Sequence, residues 1–343
     1  MIISRTPYRI SFFGGGTDYP AWYANEEGLV LSTSINKYCY LHCRYLPPFF
    51  GIKHRVIWSY IEQVSSVSEI LHPAVREGMK YLGFDDTLGL EIQHQGDLLA
   101  RSGVGSSSSF AVGLIHALTA LRGEMITKEA LTDKARILEQ DVLNEKVGSQ
   151  DQVAAAHGGF NVISFRGQHE IDVEPVKIPA ASRARLEDCL MLFYSGISRH
   201  GSKSAQETIE ALASKTASLR RMRQMVRQAL DILKNPSGVD DFGRLLNESW
   251  LLKRELTRSM STVLIDDMYD KAIQHGALGG KLLGAGGRGF MIFYVPPERQ
   301  TEVKEALIPY LHVPFKFENQ GSVIIYRDPN SLPVYDGDLL IHS

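Results

Sequence analysis

The chain has 343 residues, 44% of them hydrophobic, enough to bury a substantial core and to divide into two domains. Its 37 Lys and Arg against 39 Asp and Glu leave a net charge of −2, which argues against nonspecific nucleic-acid or anionic-membrane binding but leaves room for a small anion in a local basic pocket. With no apolar run long enough to cross a bilayer, no signal-peptide pattern in residues 1–5 and no C-x-x-C among Cys39, Cys43 and Cys189, the expectation is a cytoplasmic protein without a membrane span, disulfide framework or structural zinc site.

In chain order, strands are predicted at 2–6, 8–13, 29–34, 38–45, 56–61 and 88–94, where β-branched and aromatic residues run between glycines and prolines. The second strand carries Arg9 and Ser11 at alternate positions and runs into Gly14-Gly15-Gly16-Thr17-Asp18. Glycines there let the backbone come close to a ligand. Asp18 is placed to accept hydrogen bonds from vicinal hydroxyls, and Arg9 to offset negative charge on a transferring phosphoryl group. A glycine-rich hairpin whose aspartate caps a turn fits the same residues.

Ser102-Gly103-Val104-Gly105-Ser106-Ser107-Ser108-Ser109 leads into an apolar helical pattern over 106–121. Unpaired N–H groups and the dipole at such a helix start favour an anion, the glycines let backbone approach phosphate oxygens, and a serine hydroxyl can ligand magnesium. The serines would also serve as plain N-caps of a core helix. The stretch is not a Walker loop, because no lysine follows the glycines, and it lacks the third glycine of a dinucleotide fingerprint. A second helix is predicted over 128–144, with Leu131, Ala135, Leu138 and Val142 on one face and Glu139 at its border. Glu139 needs a partner there, and either a metal ion shared with a phosphate-loop serine or a Lys or Arg would supply one. Beyond the turn at Gly148, Asp151 opens a short helix at 151–156, placed either as a base beside an acceptor hydroxyl or as a helix cap. Strand 159–165 completes an α+β unit.

A domain boundary is placed near 180–188, dividing the chain into 1–185 and 186–343. Residues 186–194 read as a buried strand, 204–233 as a helical tract with the basic cluster Arg220, Arg221, Arg223 and Arg227, and 241–258 and 264–275 as further helices. The basic cluster fits the solvated face of a long helix, and an apolar patch on these helices makes a homodimer a candidate. Residues 279–289, Gly-Gly-Lys-Leu-Leu-Gly-Ala-Gly-Gly-Arg-Gly, read as a glycine-rich loop packed against a phosphate chain or another backbone. Strands follow at 289–294, 314–318 and 322–326.

In this order and spacing the loops resemble the GHMP small-molecule kinases, named for galactokinase and homoserine, mevalonate and phosphomevalonate kinases, over nearly the whole chain. The resemblance implies an N-terminal ribosomal-protein-S5-like α+β domain and a C-terminal ferredoxin-like domain, with ATP and substrate in the cleft between them. Gly103-Val104-Gly105-Ser106-Ser107-Ser108 is similar to the family's phosphate loop, so these residues with Arg101 and Ser102 become the expected ATP-binding set. By the same likeness Ser106 or Ser107 would hold Mg2+ with Glu139, Asp151 would be the base, Arg9 would act with it at the transferring group, and Gly15, Gly16, Thr17 and Asp18 would face the sugar. Two departures add cations: Leu99 and Arg101 stand where the family often has proline and glycine, and Arg288 where it continues in glycine. Within the family, residues 5–18, 145–152 and Gly196-Ile197-Ser198-Arg199 look like the bacterial heptose 7-phosphate kinases. That likeness implies transfer of the ATP γ-phosphate to the anomeric C1 hydroxyl of D-glycero-D-manno-heptose 7-phosphate, for capsule or lipopolysaccharide precursors. Arg199, Lys281, Gly286, Gly287 and Arg288 become candidates around that sugar phosphate. A kinase for galactose, fucose or mannose is one alternative, and a catalytically silent sugar and ATP sensor on the same scaffold is another.

Overall fold

The computed structural model of the chain describes residues 1–167, 170–196, 215–256, 260–284, 286–287 and 289–328. Arg199, Arg288 and the start of the helical tract at 204–214 lie outside them. The first two strands, β1 (Ile2–Phe13) and β2 (Gly28–Tyr45), flank the short helix α1 (Pro20–Tyr23) and pair antiparallel. Every residue of β1 from Thr6 to Phe13 is buried, which is why its side chains are apolar or hydroxylated apart from Arg9, whose charge is paired with Asp151. One edge of β2 follows β1. The other is shared in turn by β6 (Phe160–Arg166) at 28–33, β12 (Phe317–Glu318) at 34–35 and β5 (Leu90–Gly96) at 39–45. β3 (His54–Ile57) and β4 (Ile61–Val64) extend the sheet beyond β5, β7 (Glu170–Pro175) flanks β6, and β13 (Val323–Arg327) flanks β1.

Helix α3 (Ser106–Leu121) lies on β1 and β2, with α2 (Pro73–Tyr81), α4 (Lys128–Arg136) and α5 (Gln150–His157) packed around it. Gly113 allows that approach: a Cβ there would stand 2.9 Å from Thr6 Oγ1, and Ser4 Oγ donates to Gly113 O at 2.9 Å. A second, antiparallel sheet has the order β11 (Leu311–Val313), β8 (Leu190–Tyr194), β10 (Phe290–Tyr294), β9 (Gly279–Leu282). Helix α6 (Ala180–Cys189) leads into it, and α7 (Thr216–Leu233), α8 (Asp240–Leu256), α9 (Val263–Gln274) and α10 (Gln300–Ala306) complete the second half. One hydrophobic cluster draws on both halves, joining Ile10 and Leu31 to Leu192, Phe242 and Ile292.

Several elements differ from the sequence expectation. The strand expected at 56–61 is a hairpin, because Trp58-Ser59-Tyr60 turns the chain between β3 and β4. Residues 186–189 end a helix rather than begin a strand, since Ala180-Ala181-Ser182-Arg183-Ala184-Arg185 is helix-forming and Pro179 sets its start. Gly279 and Gly280 are strand rather than loop: their missing side chains admit Gly243 O of α8 and the Phe293 ring, which lie 2.0 and 2.3 Å from where a Cβ would stand. The helix expected over 128–144 passes at Ile137–Val142 into a π-helical turn. Division at a single boundary also fails, because β12 and β13 return to the first sheet to pair with β2 and β1. The apolar stripe of α7, Leu219, Met222, Met225, Val226, Ala229 and Leu233, is buried within the chain's own core. Its arginines are engaged as well, Arg220 and Arg227 with Glu26 and Glu27 and Arg221 with Glu248.

Candidate active site

The glycine-rich loop before α3 supplies the floor of the site. Gly103 and Gly105 have φ of +90° and +74°, a region closed to most side chains. A Cβ on Gly103 would meet Leu283 O at 2.4 Å, and one on Gly105 would stand 3.1 Å from Arg9 Cγ and 3.5 Å from Asp151 Cγ. The loop is thereby pressed between the segment after β9 and an ion pair. No side chain caps α3, so its first-turn N–H groups remain for an anion at the positive end of a 16-residue helix.

Arg9 Nε and Nη2 donate to Asp151 Oδ1 and Oδ2, both at 2.6 Å, and Nη1 donates to Gly103 O at 2.6 Å. One arginine thus fixes both the carboxylate of α5 and the phosphate-loop backbone. Asp18 sits beside them with 1% exposure, accepting from Gly16 N at 2.9 Å and Gln150 N at 3.4 Å. Burial, followed by the charge of Asp151, raises its pKa. Gly148 is required here, because its Cβ would lie 1.9 Å from Asp18 Oδ2.

Glu139 projects from the π-helical turn toward the start of α3. Ser107 Oγ donates to its Oε1 at 2.8 Å, while Ser108 Oγ and Gln152 Nε2 donate to Oε2 at 2.7 and 2.5 Å. Burial pushes its pKa up to about 7 despite these donors. Among the described residues no three His, Cys, Asp or Glu side chains cluster as metal ligands. One carboxylate, one serine hydroxyl and the buried, unpartnered Gln152 Oε1 nevertheless fit a magnesium ion that takes its remaining ligands from phosphate and water. Ser107 faces Glu139, whereas Ser106 Oγ accepts from Arg101 N at 2.9 Å.

Other expected site residues are placed less directly. Ser102 Oγ donates to Leu99 O, Val104 is buried with its carbonyl accepting from Arg9 N, and the exposed Arg101 acts electrostatically on Glu145. Thr17 Oγ1 is buried and locks its own turn, donating to Gly14 O at 2.8 Å and accepting from Leu29 N at 3.0 Å. Lys281, expected near a substrate phosphate, is 3% exposed and donates to Phe12 O at 2.7 Å. Gly286 and Gly287 pack on Met260. Gly15, by contrast, lies open between Ser11 Oγ and the Gln150 amide, where Ser11 Oγ and Gln150 Oε1 are buried without partners. Gln150, Gln152 and Lys253 are site residues that sequence reasoning missed. The glutamines flank Asp151 in the same motif, but Lys253 lies on a helix with no motif around it.

Models of the GHMP kinase N-terminal and C-terminal domains match residues 68–159 and 229–310. A D-glycero-alpha-D-manno-heptose 7-phosphate kinase of Campylobacter jejuni is 28% identical over 326 residues, covering 89% of this chain and 93% of its own. A galactokinase of Pyrococcus furiosus is 24% identical, covering 90% of this chain and 92% of its own. A crystal structure of a D-glycero-D-manno-heptose 1-phosphate kinase from Bacteroides thetaiotaomicron superposes with a TM-score of 0.69 at 23% identity, over 94% of this chain and 98% of that one. The chain belongs to the GHMP kinase family and is an ATP-dependent kinase.

Proposed function

We propose that this kinase phosphorylates the anomeric C1 hydroxyl of D-glycero-D-manno-heptose 7-phosphate, yielding the 1,7-bisphosphate and ADP. The observation that carries the reading is the Arg9–Asp151 pair lying directly beneath the phosphate loop, with Asp18 beside it. The heptose 7-phosphate kinase similar to 89% of the chain supplies the substrate class. Galactokinase likeness makes a neutral hexose the competing substrate.

In this reading the first-turn amides of α3 hold the ATP phosphates. Ser107 and Glu139 would hold Mg2+, which when bound neutralises phosphate charge. Asp18, Ser11 and Gln150 receive sugar hydroxyls. Asp151 orients the C1 hydroxyl and takes its proton as that oxygen bonds to the γ-phosphorus and the bond to the ADP oxygen breaks. Arg9 keeps Asp151 in position and offsets charge at the transferring group. Arg199 and Arg288 are assigned to the 7-phosphate. Phosphorylation at C1 blocks the reducing end, so a reducing-sugar assay run beside ADP release tests the acceptor. Loss of one reducing end per ADP is expected, and ADP formed with the reducing end intact would place the phosphate elsewhere.

A further inference from the structure

Lys253 is partly exposed as a residue, but its ammonium is enclosed. Nζ donates to Leu282 O at 3.0 Å and Gly284 O at 2.6 Å. Gly284 in turn abuts the phosphate loop, its Cβ position lying 2.5 Å from Gly103 Cα. The ammonium therefore sits under the seam where the segment after β9 meets the phosphate loop. Four charged groups reach it or its neighbour from every side: Arg9 of β1 opposes its charge, Asp18 beyond β1 and Asp151 of α5 favour it, and Lys281 of β9 feels both Lys253 and Arg9.

Charge in this pocket does not balance. Arg9 is matched by Asp151 through two hydrogen bonds. Lys253 is left facing Asp18, whose own carboxyl is shifted toward its neutral form, and Lys281 beside Lys253 is pushed toward its neutral form as well. Enclosed, unmatched ammonium groups are unfavourable unless an anion arrives to meet them. Lys253 is also incompletely used, because carbonyls take two of its three N–H bonds and no third partner exists among the described residues.

We propose that Lys253 is a further catalytic residue of this kinase, its third N–H bond taking an anionic oxygen of the phosphoryl group as it passes from ATP to the acceptor. The inference rests on the kinase reading but not on the identity of the sugar. Burial and Arg9 push the Lys253 pKa down to about 7, with Asp18 and Asp151 opposing. Free enzyme therefore loses this charge as pH rises above neutrality, and kcat/KM falls about tenfold per pH unit there.

Calorimetry with Mg2+ present, comparing ADP with ADP–aluminium fluoride as a mimic of the phosphoryl group in transfer, tests the proposal. Lys253→Met is expected to keep ADP affinity within about threefold while losing about 100-fold in affinity for ADP–aluminium fluoride. Lys253→Arg, which stays charged, is expected to recover most of that loss and to abolish the alkaline fall in kcat/KM. Equal loss for both ligands would show Lys253 to be only a clamp on the Leu282 and Gly284 carbonyls and would overturn the proposal, as would no loss at all. If thermal unfolding shows that neither variant folds, the wild-type profile decides, and a flat kcat/KM from pH 7 to 9 overturns it. Wild-type protein that releases no ADP with any sugar would defeat the kinase reading alone, because the binding comparison needs no turnover.

Discussion

Asp18 and Asp151 share one pocket but answer to different neighbours. Arg9 grips both oxygens of Asp151 at 2.6 Å, fixing the carboxylate plane and leaving its outer lone pairs for a hydroxyl. Asp18 is buried, and its two oxygens accept from the Gly16 and Gln150 backbone amides, which fixes it as a hydrogen-bond partner for a hydroxyl. Asp151→Asn keeps the shape of the side chain and removes its ability to take a proton. Turnover in that variant is expected to fall by at least about 100-fold, with ATP affinity within about threefold of wild type. ADP release and calorimetry on the same preparation check both halves, and near-normal turnover would contradict the base assignment.

At the scale of elements, α3 ties the site to the periphery. Its first turn presents Ser107 and Ser108 to Glu139, and farther along His116 Nδ1 hydrogen-bonds Ser322 Oγ ahead of β13. Burial pushes the His116 pKa down to about 4. A folded-state value below the unfolded 6.5 means that between these pH values the unfolded chain binds the extra proton. The contribution is therefore intact above about pH 6.5 and lost as pH falls toward 4. Thermal unfolding across that window is expected to show Tm falling with acid, and less steeply in His116→Gln; an unchanged slope would remove His116 as a source.

The same elements show what a sequence displays and what it hides. Helix α3 is legible residue for residue, because glycine, four serines and an apolar repeat mark its start and face. Glu139 is legible as a carboxylate in need of a partner, yet the π-helical turn that delivers it is not, since Ile137-Leu138-Glu139-Gln140-Asp141-Val142 is an ordinary helical pattern and one extra residue per turn leaves no compositional mark. Strand β9 is hidden for the opposite reason: glycines that signal a loop locally are demanded by Gly243 on α8 and by Phe293 on the neighbouring strand. Lys253 is invisible because a buried lysine on a helix has the same one-letter code as a solvated one.

Across the whole molecule the two halves meet at backbone as well as at side chains. Gly103 lies against Leu283 and Gly284, and the Ser102 carbonyl accepts from Phe290 N at 3.0 Å, so the phosphate loop is braced by the second sheet. Strands β12 and β13 bring the chain back to the first sheet, and the shared core runs from Ile10 to Phe242. No helix among the described residues is long and apolar enough to cross a membrane. Such a frame holds ATP-side and sugar-side residues in one fixed relation, which is what phosphoryl transfer requires of a protein that adds little covalent chemistry. The most direct measurement is ADP release by the purified protein with Mg2+ and ATP, offered heptose 7-phosphate, mannose, galactose and fucose in parallel. Strong turnover confined to the phosphorylated heptose is the predicted result, and turnover only with a neutral sugar would contradict the substrate assignment while leaving the kinase fold in place.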